Sequence, residues 1–302
     1  MCLTDFLRTL IRKMRRPNPA AAAGTPPLDS IAAKRYQPVG QCIYCGATKV
    51  PLTKEHIVPY ALNGNWILPQ ASCKKCAAIT GAGVEQAVLG GELQHLRTVL
   101  NFQTRRPSDR PVTVRLRADD RDVDVPITDC PIIMPFIRFP APGLLDNRPS
   151  KHGIDVIGQV SIRWGPDPDE FAKRHGFRKV SFQATLKPAM FARMLAKIAY
   201  SHAVARFGLN ALQDEFVTGV ILGRSDRIGD VVGCIQVQIP VPQNPIDHVL
   251  HPVTYGRGTS GVDRLLAVRV KLFAGYPTPV YEVVLGRPAD WLQDLPDNYH
   301  RE

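Results

Sequence analysis

Cys42-Ile43-Tyr44-Cys45 is followed, after 27 intervening residues, by Cys73-Lys74-Lys75-Cys76. Two Cys-x-x-Cys pairs place four thiolates at the spacing a tetrahedral zinc ion needs, with Zn–S bonds of about 2.3 Å. Four sulfurs leave no open position, so a Zn²⁺ held by Cys42, Cys45, Cys73 and Cys76 is structural. Between the pairs stands Glu55-His56, a carboxylate able to ligate metal beside an imidazole able to move a proton. Chemistry in this segment therefore falls to a second metal near Glu55 and His56.

The rest of the chain must position those groups. It has 302 residues, 44% hydrophobic and 22% charged, ordinary values for a globular protein of one large or two modest domains. Its 38 Lys+Arg against 27 Asp+Glu give a net charge of +11, which favours a polyanionic partner such as nucleic acid or an anionic membrane surface. Seven cysteines, four of them in the paired motif, do not make a disulfide framework. They suit a reducing, cytoplasmic setting with thiolates reserved for metal. No run reaches the roughly 18 apolar residues of a membrane-spanning helix.

Residues 1–37 read as a short basic helix and a Pro/Ala-rich linker, a poorly ordered tail. Residues 38–100 hold the zinc unit, with helical apolar spacing over 84–100 interrupted by Gly90-Gly91. From 101 to 302 the texture is rich in strands. Residues 112–117 and 122–127 alternate around Asp119-Asp120 as a hairpin, and further strand-like runs lie at 132–139, 154–164, 179–185, 231–241, 265–273 and 280–285. One long helix opens at Lys187-Pro188, presents Phe191, Leu195, Ile198, Ala199, His202 and Ala205 on one face, and stops at Gly208. The expected class is α+β throughout.

Cys42-x-x-Cys45, Glu55-His56-Ile57-Val58-Pro59, the Asn63-Gly64-Asn65 loop and Leu68-Pro69-x-Ala71-Ser72-Cys73-x-x-Cys76 resemble the HNH endonuclease family, in its four-cysteine branch, over residues 42–80. The resemblance implies a treble-clef-like ββα zinc unit: a knuckle for the first cysteine pair, a hairpin presenting Glu55-His56, and a helix starting at the second pair. It implies His56 as the general base that activates water against a phosphodiester, and Glu55 as a ligand of a catalytic Mg²⁺ or Mn²⁺. It also implies a nucleic-acid partner, DNA before RNA.

One position departs from the pattern. The last metal ligand, a His or Asn after the second cysteine pair, is replaced by Ala77-Ala78-Ile79-Thr80-Gly81. Glu85 is the nearest downstream carboxylate, but it lies nine residues from Cys76, roughly 13 Å of α-helical rise, beyond the helix-breaking Gly81-Ala82-Gly83. Asn63 and Asn65 are both available as the central amide. Lys74, Lys75, Arg105 and Arg106, with Arg97 and Arg110 nearby, are the candidate phosphate contacts. His202 reads as a packed histidine, and residues 256–261 as a glycine-rich turn, since they lack a P-loop lysine. The alternative to an endonuclease is a zinc-containing nucleic-acid-binding or interaction module without catalysis.

Overall fold

Leu52–His56 (β1) pairs antiparallel with Ile67–Cys73 (β2), setting Leu52 opposite Cys73 and His56 opposite Ile67. The computed structural model that shows this describes residues 34–91, 93–105, 107–148, 152–181, 185–256 and 264–292. Residues 1–33 of the expected tail, Arg106 and most of the 256–261 turn lie outside them. The strands are joined through Pro59 and a short 3₁₀ turn, Tyr60–Leu62, which ends at Asn63 with a left-handed φ of 63°. Asn is among the few residues that adopt that conformation readily.

The Cys73 sulfur caps the helix that follows, Lys74–Ala77 (α1), by accepting from the Cys76 N–H. The break expected at Gly81-Ala82-Gly83 does not occur. The helix widens instead into a π-helical stretch, Ala78–Glu85, in which the Gln86 N–H reaches back to the Gly81 carbonyl. It then continues as Gln86–Leu89 (α2), and Gln94–Val99 (α3) follows. Glycines weaken an α-helix without supplying a side chain that resists wider turns.

Thr113–Ala118 (β3) and Arg121–Pro126 (β4) form the expected hairpin, its turn made by Asp119 and Asp120, both with positive φ. Ile132–Arg138 (β5) pairs with Gly158–Trp164 (β6), and Pro168–Arg174 (α4) is capped by Asp167. Val180–Ser181 (β7) adds to β3.

The long helix is Pro188–Phe207 (α5), closed by Gly208 at φ 79°. Every residue from Phe191 to Val204 except Arg193 is buried. The single apolar face read from sequence is therefore a helix enclosed on all sides.

After it come Leu212–Glu215 (β8), Thr218–Ile221 (α6), Ile228–Val231 (α7) and Val232–Ile235 (β9). Val249–Tyr255 (β10), Leu265–Lys271 (β11) and Val280–Pro288 (β12) complete an antiparallel sheet in the order β10-β11-β12-β8, with β9 also pairing with β12. Two of these strands, β8 and β10, carry no alternation to read. Leu212-Gln213-Asp214-Glu215 is polar, and β10 contains Pro252, which an edge strand tolerates.

One apolar cluster runs from the zinc segment into the sheet. Val84, Val88 and Leu89 share it with Leu195 and Ile198 of α5 and with Val268, Val270 and Val283. α5 thus supplies the surface on which the Cys/Glu/His segment rests.

Candidate active site

Ligand atoms of Cys42, Cys45, Cys73 and Cys76 all lie within 4.8 Å of one another. The Cys45 and Cys73 sulfurs are 3.7 Å apart, close to the roughly 3.8 Å edge of a tetrahedron with 2.3 Å Zn–S bonds. The knuckle arises because the Cys42 N–H bonds the Ala47 carbonyl while Gly46, at φ 71°, donates back to the Cys42 carbonyl. The Cys76 N–H at the helix start draws the Cys73 thiol down to about 7. Four converging thiols, one already inclined to ionise, fit a soft tetrahedral ion such as zinc.

His56 ends β1 and is half-buried. Its Nδ1 sits 3.2 Å from the Gly64 carbonyl. With a proton on Nδ1 donated to that carbonyl, Nε2 is left as the acceptor. Gly64 is required at this point, because a Cβ there would stand 1.8 Å from the Val58 carbonyl oxygen. Burial lowers the His56 pKa from its ordinary value, with Lys54, Lys197 and Arg105 adding to the effect against the Gly64 contact. The imidazole is therefore neutral at pH 7, the state a general base needs.

Glu55 faces the interior. The register slips between Thr53 and Glu55, and the carboxylate turns inward where its neighbours Thr53 and Lys54 are exposed. Its Oε1 is 2.6 Å from the Lys197 ammonium, and the same nitrogen is 2.9 Å from Glu85 Oε1. Lys197 also donates to the His56 carbonyl and stands 3.4 Å from that of Ile57. Burial alone would lower Lys197, but Glu55 and Glu85 outweigh it and keep the ammonium charged. One cation faces two carboxylates, so burial and the charge of Glu85 push the Glu55 carboxyl upward against the pull of Lys197.

Glu85, far away on an α-helical ruler, is thus brought to Glu55 through the widened π-helical turns. Lys197 was not legible as a site residue. Its only signal is a single charge inside Met194-Leu-Ala-Lys-Ile-Ala-Tyr200, a stretch otherwise suited to a core. Two further α5 residues brace the knuckle: Ser201 Oγ lies 3.2 Å from the Tyr44 hydroxyl, and Tyr200 donates to the Ile43 carbonyl at 2.9 Å. His202 stacks on Trp66 with centroids 5.6 Å apart, which makes it a packing group.

Residues 42–90 match the HNH endonuclease family model. No curated protein and no solved structure matches the chain. The HNH segment spans both cysteine pairs, Glu55, His56 and Glu85, and it stops well short of Lys197. A zinc ion fits its four cysteines. A divalent ion between Glu55 and Glu85 does not fit the arrangement as it stands, because the Lys197 ammonium takes that place.

The basic residues of this region separate into two kinds. Lys54, Lys74, Lys75 and Arg105 are exposed. Arg105 lies near enough for its charge to reach His56. Asn63 helps to place that segment, since its Oδ1 accepts from the Gln103 N–H at 3.2 Å. Arg97, in contrast, is spent on the Ala61 and Leu89 carbonyls at 2.9 and 2.8 Å, and Arg110 is bonded to Asn101 and the Phe102 carbonyl. These two are structural bonds. Among the described residues, no helix is long and apolar enough to cross a membrane.

Proposed function

We propose that this protein is an HNH-type endonuclease that hydrolyses phosphodiester bonds of nucleic acid, with DNA the first substrate to test. The observation that carries the reading is His56: a neutral imidazole, anchored through Nδ1 to Gly64, on the hairpin between the two cysteine pairs of the HNH segment. Its Nε2 accepts a proton from water as the water oxygen bonds to phosphorus. The bond from phosphorus to the leaving sugar oxygen breaks, and that oxygen takes a proton from solvent.

Lys54, Arg105, Lys74 and Lys75 supply positive charge for the phosphate backbone. Zinc at the four cysteines would hold the knuckle and the helix start, and so the hairpin geometry, without entering the reaction. Neither Mg²⁺ nor Mn²⁺ enters this step, since the carboxylates expected to hold it are bonded to Lys197.

A second reading, a nucleic-acid-binding module without cleavage, draws on that same ion triad and on Ala77 in place of a ligand. Supercoiled plasmid incubated with the purified protein, with and without Mg²⁺ or Mn²⁺, separates the two. Nicking by the wild type and loss of about 10²–10⁴-fold in rate in His56→Ala are expected. Retention of binding with no nicking under any condition would favour the second reading.

A further inference from the structure

The Lys197 nitrogen has an all-oxygen surround: Glu55 Oε1 at 2.6 Å, Glu85 Oε1 at 2.9 Å, the His56 carbonyl, and the Ile57 carbonyl at 3.4 Å. Two carboxylates and main-chain carbonyls are the donors that hard divalent cations select. Here they converge on an ammonium whose side chain is 1% exposed. An ammonium has three donors and no acceptor, so it satisfies such a cage as a point charge.

Three features set this arrangement apart from an ordinary buried ion pair. The first carboxylate adjoins His56 in sequence. The second reaches the site only because the helix after Cys76 is widened through Ala78–Glu85. And the cation arrives from α5, a different element with no sequence relation to the HNH segment.

We propose that Lys197 is a built-in monovalent cation that closes the carboxylate site of the HNH segment to divalent ions and positions the strand carrying His56 in a metal's stead. The inference rests on reading Glu55 and Glu85 as that segment's candidate cation ligands. Its consequence is that whatever the hairpin does to nucleic acid is indifferent to added Mg²⁺ or Mn²⁺, provided the four-cysteine zinc is retained. A divalent ion would have to displace a lysine that is itself 1% exposed, on a helix whose Ala196 and Ile198 are also fully buried.

The test is a Mn²⁺ titration of the zinc-loaded, full-length protein, read by the paramagnetic resonance of free Mn²⁺. The wild type is expected to take up no stoichiometric Mn²⁺, and its melting temperature should not move with the ion. Lys197→Met, which keeps the stem and removes the charge, should bind one Mn²⁺ per chain and gain melting temperature with it. Lys197→Met combined with Glu85→Gln should lose that site again.

One Mn²⁺ per wild-type chain, lost in Glu55→Gln, would overturn the proposal, and so would a folded Lys197→Met protein blind to Mn²⁺. Should Lys197→Met fail to fold alone, refolding it from denaturant with and without Mn²⁺ reads the same site. Recovery only with the ion supports the exchange of one cation for the other, and failure in both counts against it. The nuclease reading fails separately: a protein that takes no Mn²⁺ and nicks no plasmid sinks that reading alone, and one that does both sinks only this one.

Discussion

At the residue scale, the site depends on histidines kept neutral for different reasons. His56 is neutral and half-exposed, which makes its state useful for chemistry. His202 and His248 are neutral because they are enclosed, with values pushed down by burial to about 3 and about 4. His248 donates or accepts at both nitrogens, 2.9 Å from the Leu62 carbonyl and 3.1 Å from the Phe273 N–H, and so ties the zinc segment to the sheet. Unfolding restores each to an ordinary value near 6.5, where it takes up a proton that the folded state refuses. Stability is therefore fully present above about pH 6.5 and falls as the pH drops below it, by about 1.4 kcal/mol per pH unit for each histidine. Urea unfolding at pH 7, 6 and 5 should show a loss from the pair of about 1.4 kcal/mol between pH 7 and 6 and about 2.4 kcal/mol between pH 6 and 5. Glu55 and Glu282, whose carboxyls burial pushes upward, oppose the trend at the acid end. A midpoint that does not move between pH 7 and 5 would place these imidazoles in contact with water.

At the element scale, the hairpin β1–β2 is too short to stand alone, and two supports hold it. One is the zinc knuckle; the other is α5, which meets β1 through Lys197, Trp66 just before β2 through His202, and the knuckle through Tyr200 and Ser201. The relative weight of these supports is measurable. Cys73→Ser removes one ligand and the sulfur cap of α1 together. A metal ligand's binding energy is largely folding energy in such small units, so this variant should lose its zinc and the ordered structure around residues 38–81. Zinc content by elemental analysis and amide exchange across that segment check it. Full zinc in the variant would refute the four-cysteine assignment. Retained order without zinc would give the larger share to α5.

At the scale of the whole molecule, a net charge of +11 meets a site where the charges of Lys54 and Arg105 reach His56, with Lys74 and Lys75 exposed past the other end of the hairpin. Binding to nucleic acid should be electrostatic and weakly dependent on sequence. The logarithm of affinity should fall against the logarithm of salt by about 0.9 for each phosphate neutralised. Arg105→Ala should flatten that slope by about one unit if the side chain meets a phosphate. Filter binding at several salt concentrations reads it directly, and an unchanged slope would take Arg105 out of the footprint.

The sequence by itself determined what depends on local spacing. Two Cys-x-x-Cys pairs, Glu55-His56 between them, the Asp119-Asp120 turn and the Pro188-to-Gly208 helix are read from neighbours a few residues apart, and each is where the spacing puts it. The polar strand Leu212–Glu215 and the proline-bearing Val249–Tyr255 left no such trace, because pairing with other strands, and not their own alternation, makes them strands. The same reason hid the centre of the site. Glu85 reaches Glu55 only after two glycines let the helix widen, and Lys197 reaches both only after α5 is buried on every side. A charge in the core is chosen by what folds around it, and only the tertiary structure brings those partners together.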